Sequence, residues 1–177
     1  KNKNRQKEEA ALQSFQDKID DKGIRVTEIV NQIEQVKTQV LKNCRVLAST
    51  AVKTYLKPED FSDFDVVVID EASMLMLPLA AYAASLSKEK VIFAGDYMQL
   101  PPIMSTDKNH PSYDVVRKWV GSSVFEQIDI EEKIDKKYKN IIILRRQYRM
   151  NEKICKLINK YFYNGALITD KSVETKK

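Results

Sequence analysis

At 177 residues and 20.5 kDa the chain fits one domain with an appended helical piece, and it is long enough to bury a core. Its 43% hydrophobic and 31% charged residues are those of a soluble protein, and a net charge of +5 spread along the length permits a polyanionic partner without demanding one. No apolar run approaches membrane-spanning length and the Lys/Glu-rich N-terminus is not a signal peptide, so no membrane role and an intracellular setting (cytoplasmic or nuclear) are expected.

Residues 1 to about 42 form the first unit. Leu12, Phe15 and Ile19 are spaced three and four apart, "DDKG" at 20–23 interrupts them, and Val26, Ile29, Ile33, Val36 and Val40 resume the spacing. This heptad-like pattern predicts two helices folded as an antiparallel hairpin with a narrow apolar seam. After Asn43 the texture changes. "RVLAS" (45–49), "DVVVI" (65–69), "VIFAG" (91–95) and "IIIL" (141–144) are short apolar runs bounded by polar or turn residues. Continuous rather than alternating runs predict strands covered on both faces, as in a parallel α/β sheet. "PLAAYAASL" (78–86) and "EKICKLINKYFY" (152–163) read as helices, 104–140 as surface loops with a short helix, and 169–177 as a polar tail. Cys44 and Cys155, beside apolar residues and without metal-ligand neighbours, read as buried free thiols of a reducing compartment. His110, in the polar "STDKNHPS", reads as a loop residue.

Three strand exits carry chemistry. "VVVIDEASM" (66–74) ends an apolar strand in two carboxylates, at the sheet edge where α/β proteins bind ligands. Such a pair would divide labour: Asp70 would hold Mg²⁺ through its water shell, and Glu71 would orient and deprotonate an attacking water. Ala72 and Ser73 are small enough to leave room for a phosphate. "VIFAGDYMQLPPI" (91–103) follows a second buried strand with Gly95, which permits a tight turn, and then Asp96, Gln99 and a rigid "LPP". Gln99, both donor and acceptor, suits the sensing of a γ-phosphate or its water. "LRRQYRMNEKI" (144–154) sets Arg145, Arg146 and Arg149 around Gln147 and Tyr148. An arginine there can stabilise charge on a transferring phosphoryl group, and Tyr148 offers a flat face to a base. Singly, each has a bland counterpart: an acidic surface turn, a proline-stiffened turn, a basic loop capping a helix.

Together and in this order, "VLASTAVKTYL", "FDVVVIDEASM", "VIFAGDYMQLPPI", "SSVFEQI", "LRRQYRM" and "YFYNGAL" resemble consecutive motifs of superfamily 1 helicases, closest to the branch that includes the nonsense-mediated decay helicase. The resemblance covers about residues 44–168. It implies an α/β fold: an incomplete RecA-like P-loop NTPase domain with a parallel sheet over 43–168, preceded by a helical hairpin insertion over 1–42. It implies Asp70 as the magnesium-associated residue and Glu71 as general base of motif II, and Gln99, supported by Asp96, as the motif III link between γ-phosphate and strand movement. It gives Arg149 a γ-phosphate contact and Tyr148 a place against adenine. The segment at Ser49 and Thr50 looks like the motif that grips a nucleic-acid backbone without reading its sequence.

The chain departs from the pattern in two respects. No GxxxxGK[ST] occurs, and nothing resembling a second RecA-like domain follows "YFYNGAL". In the related fold the P-loop strand lies between the strands of motifs III and IV, so two strands here would lack a neighbour. The expectation is an internal piece of a larger helicase, inactive by itself. The intact enzyme would hydrolyse ATP with Mg²⁺ and translocate 5′ to 3′ on single-stranded RNA or DNA, with the P-loop segment and second RecA-like domain as its partners. Two alternatives stay open: a truncated, non-catalytic module binding nucleic acid or a partner, and a nucleic-acid-dependent ATPase that does not unwind.

Overall fold

A computed structural model describes residues 2–61 and 63–174, with side chains in the first helix from Leu12 onward; Lys1 and the last three residues of the expected tail lie outside it. Contacts divide the chain into two units, 1–50 and 51–177.

The first unit is built on α1 (Asn2–Asn43), a single helix of 42 residues that runs unbroken through Asp20–Gly23. The expected hairpin turn is absent. Side chains tie successive turns together across the region: Gln13 Nε2 donates to Asp17 Oδ1 at 3.0 Å, Gln16 Nε2 to Asp20 Oδ1 at 3.1 Å, and Thr27 Oγ1 to the Gly23 carbonyl at 3.0 Å. Without a proline, one glycine costs only about 1 kcal/mol, less than breaking a helix to make a turn. The heptad register also survives, because Lys22 occupies the slot between Ile19 and Val26. The seam faces solvent, with Ile19 62% and Val40 60% exposed.

Gly23 has open space around its Cα and no left-handed backbone. Gly23→Ala should therefore raise helix content and stabilise α1 by about 0.5–1 kcal/mol, read by circular dichroism during a thermal melt. A turn at 20–23 would give a loss instead. Beyond α1, residues 45–49 form no strand, and Val46 is 87% exposed.

The second unit begins with α2 (Ala51–Leu56) and a βαβ unit of β1 (Phe64–Ile69), α3 (Leu77–Ser85) and β2 (Ser87–Phe93). Pro78 sits in the first turn of α3, where its missing N–H has no intrahelical partner to lose. β1 and β2 pair in parallel, with Val67 opposite Val91 and Ile69 opposite Phe93. Their inward side chains pack on Ile69, Ala72, Ala83, Phe125 and Ile130. Coverage on both faces was expected, yet Val66, Val68 and Ile92 are exposed. Alternation sends these residues to the face opposite the core, where no described element covers them.

The region 104–140 holds three short helices rather than one: α4 (Tyr113–Trp119), α5 (Val124–Gln127) and α6 (Ile130–Asp135). A capping box starts α5, with Ser123 Oγ accepting from Glu126 N–H and Glu126 Oε2 from Ser123 N–H, and this drives Phe125 into the core. Residues 141–144 form no strand, and Ile142 and Leu144 are 84% and 86% exposed. A strand exists only through its ladder, and no described segment pairs with this one. Instead β3 (Arg146–Gln147) pairs in parallel with β4 (Ile168–Thr169) across α7 (Glu152–Tyr161). The polar tail is tied down over its described part. Asp170 N–H donates to Gln147 O at 3.0 Å, Asp170 Oδ1 accepts from Ser172, and Val173 is buried. Cys155 is buried and Cys44 half-buried, both free, and His110 lies exposed in its loop.

Candidate active site

β1 ends at Ile69, and the next residues make a tight turn that carries both carboxylates. Asp70 Oδ1 accepts the Glu71 N–H at 3.0 Å, and Met74 N–H returns to Glu71 O at 3.0 Å. Glu71 has φ 51°, left-handed backbone that costs a non-glycine residue about 1–2 kcal/mol. The neighbouring β2 exit enforces it: Ala94 N–H donates to Ile69 O at 2.8 Å, and Ala72 N–H to Ala94 O at 2.9 Å. Both carboxylates are exposed at the edge. Ala72 and Ser73 are 0% and 2% exposed, packed beneath the turn. Ser73 Oγ is the one buried side-chain polar atom without a hydrogen-bond partner among the described residues.

The second exit packs against the first. Gly95 is needed for room rather than for an unusual φ. A Cβ there would lie 2.9 Å from Phe125 Cε2, 3.0 Å from Ala72 N and 3.1 Å from Ser73 N. Asp96 then closes the turn by accepting Met98 N–H on Oδ1 at 3.1 Å and Gln99 Nε2 on Oδ2 at 2.8 Å. The same Oδ2 accepts the hydroxyl of Tyr163, which is delivered from beyond the end of α7. Burial and the Asp96 carboxylate push the Tyr163 hydroxyl above its ordinary range; burial, helped by Glu131, does the same for Tyr97. Both keep their protons at neutral pH.

The third exit is shaped by Gln147, whose Oε1 accepts the N–H groups of Arg149 (3.0 Å) and Met150 (2.8 Å) while Nε2 donates to Met150 O (2.9 Å). Asn151 Oδ1 caps α7 through Ile154 N–H at 3.0 Å. This turn leaves Tyr148 and Arg149 exposed. Arg146 Nη1 lies 3.5 Å from Asp170 Oδ2.

Asp70, Glu71, Asp96 and Gln99 therefore share one edge through the β1–β2 register, whereas no described contact brings Arg149 or Tyr148 to it. Ser49 and Thr50 are exposed in the first unit, where Ser49 Oγ donates to Thr50 O at 3.3 Å. Sequence reasoning gave Tyr163 no role. It lies in the "YFYNGAL" motif, where the third ring of the "YFY" run is half-buried and the first two are exposed.

No cluster of three or more His, Cys, Asp or Glu suited to a metal occurs among the described residues. An all-protein cage is thus excluded within them, but Mg²⁺ usually takes one or two carboxylates with water and phosphate oxygens. Asp70, a hard oxygen donor with Oδ1 steadied by a backbone N–H, fits that mode.

A family model described as an AAA domain matches residues 1–107, and a second of the same description matches 121–177. The chain is 32% identical over 155 residues to an uncharacterised ATP-dependent helicase of Methanocaldococcus jannaschii, covering 85% of this chain and 21% of that one. It is 35% identical over 126 residues to the DNA polymerase alpha-associated DNA helicase A of Saccharomyces cerevisiae, covering 67% and 17%. It is 29% identical over 134 residues to the DNA replication ATP-dependent helicase/nuclease dna2 of Schizosaccharomyces pombe, covering 75% and 9%. The chain spans about a fifth or less of these relatives.

Proposed function

The chain belongs to the AAA-domain family in its superfamily 1 helicase form, and from that premise we propose that it is part of an ATP-driven motor that moves on single-stranded RNA or DNA. The observation that carries this is the shared edge of β1 and β2, where one turn holds Asp70 and Glu71 and the next holds Asp96 and Gln99. Unlike an acidic surface turn, this pair of turns is braced by backbone bonds from both strands and holds Glu71 in a costly conformation, as functional sites often do.

Each residue has a role in that reading. Asp70 would hold Mg²⁺ through water, and the ion would supply positive charge to the phosphates. Glu71 takes the proton of the attacking water. Gln99, its amide nitrogen held by Asp96, turns its carbonyl oxygen outward to accept from that water. Arg149 reaches the γ-phosphate and Tyr148 stacks on adenine once the remaining parts of the site are in place. Ser49 and Thr50 hold the strand backbone, which positions it without reading bases. Residues 1–42 form the helical insertion and 43–168 the RecA-like part. The reaction sets the protein inside the cell, where ATP and nucleic acid meet.

The test is ATP hydrolysis by this chain alone and by a polypeptide in which a P-loop segment and a second RecA-like domain accompany it, each with and without single-stranded RNA and DNA. Hydrolysis by the longer polypeptide alone, stimulated by one strand, is expected, and it names the track. No hydrolysis by either would overturn the motor reading in favour of a non-catalytic binding module.

A further inference from the structure

Tyr163 lies 67 residues from Asp96 in sequence, yet its hydroxyl donates to Asp96 Oδ2, the same oxygen that takes the side-chain amide of Gln99. With Met98 N–H on Oδ1, the carboxylate accepts three hydrogen bonds, two within its own turn and one from the far end of α7. A carboxylate is acceptor-only, so the nitrogen end of Gln99 must face it and the carbonyl end must face away. The direction of Gln99 therefore follows Asp96 and the Tyr163 hydroxyl, which the Gln99 side chain also meets.

Tyr163 is a firm anchor. Its N–H donates to Asn159 O at 3.3 Å, and Gly165 N–H returns to the same carbonyl at 3.1 Å. The Asn159 side chain clasps the next segment from both sides, donating to Leu167 O and accepting from Leu167 N–H, each at 2.9 Å. Asn164 and Gly165, with φ 48° and 80°, turn the chain sharply just after the tyrosine. The ring is half-buried, whereas Tyr161 and Phe162 are 65% and 61% exposed.

We propose that Tyr163 is a positioning residue for Gln99, acting together with Asp96, and that it links the β2 exit to the end of α7. Its catalytic consequence rests on the motor reading above; the clamp itself does not. In that motor Tyr163 holds Gln99 in the orientation in which its carbonyl accepts from the attacking water, so the tyrosine governs turnover rather than ATP binding. It touches no substrate atom.

Tyr163→Phe removes one hydroxyl and keeps the ring, so packing is preserved. Amide hydrogen exchange on this chain reads the clamp with no need for ATP hydrolysis. The backbone N–H groups of Met98 and Gln99 should exchange roughly 3–10-fold faster, the scale of one net hydrogen bond, while Cys155 N–H within α7 exchanges as before. Unchanged exchange at Met98 and Gln99 would overturn the proposal. So would loss of protection throughout α7, which would make Tyr163 a packing residue. In a hydrolysing helicase that carries the chain, the same substitution should lower kcat by a similar factor and leave KM for ATP within about twofold. A change in KM alone would overturn the positioning role. Failure of the motor reading looks different: the unsubstituted protein is inactive and the exchange difference persists.

Discussion

Glu71→Gln, placed in the helicase that carries this chain, should lower nucleic-acid-stimulated ATP hydrolysis by about 10²–10⁴-fold while leaving ATP binding intact. The substitution keeps length, volume and the left-handed backbone at φ 51°, and it leaves the Glu71 N–H on Asp70 Oδ1. What it removes is the ability to take a proton, because an amide oxygen is far too weak a base. Phosphate release measures turnover, and a fluorescent nucleotide measures affinity. Wild-type turnover in the variant would end the general-base assignment. Glu71→Gly separates chemistry from strain. It removes the same carboxylate and also relieves the left-handed cost, so the chain should melt higher by an amount consistent with about 1 kcal/mol while hydrolysis is lost. A fall in melting temperature would mean that the Glu71 side chain supports the turn, and the loss of turnover would then say less about proton transfer.

What could be read from sequence followed how local its cause was. β1, β2, α3 and α7 were visible because their apolar runs and caps are self-contained, and the structure has strands at Phe64–Ile69 and Ser87–Phe93 and helices at Leu77–Ser85 and Glu152–Tyr161. The runs at 45–49 and 141–144 carry the same β-branched signal but form no ladder, since a strand depends on a partner that its own residues cannot specify. At 20–23 turn chemistry outweighed the heptad count, which continues through Lys22 without a skip. The capping box of Ser123 and Glu126 is a local signal inside "SSVFEQI", and it starts one of the three helices of a region expected to hold loops and a short helix. In the candidate site, residue types marked Asp70, Glu71, Asp96 and Gln99, and parallel register puts them on one edge. Tyr163 could not be found that way, because its meaning lies in a contact across 67 residues.

Gly95→Ala should be the most destabilising single-methyl change at this edge. The added Cβ would meet Phe125 Cε2 at 2.9 Å, Ala72 N at 3.0 Å and Ser73 N at 3.1 Å. A ring can tilt by a few tenths of an ångström, but the two backbone nitrogens belong to the turn that carries the carboxylates. Ala72 N–H is itself committed to Ala94 O at 2.9 Å, so retreat from the new methyl lengthens a bond between the two strand exits. Overpacking of this kind costs about 1–3 kcal/mol, which for a chain of this size lowers the melting temperature by on the order of 5 °C. Gly121→Ala is the control. Its nearest obstacle is Met104 Sδ, the flexible part of an adaptable side chain, so it should melt closer to the parent although its nominal overlap at 2.5 Å is the larger. Phe125→Leu combined with Gly95→Ala removes the ring contact but leaves both backbone contacts, and therefore should not restore the loss. Full restoration would place the conflict at the ring alone. In that case the two turns are not in tight backbone contact, and the close coupling of Asp70 and Glu71 to Asp96 and Gln99 would lose its physical basis.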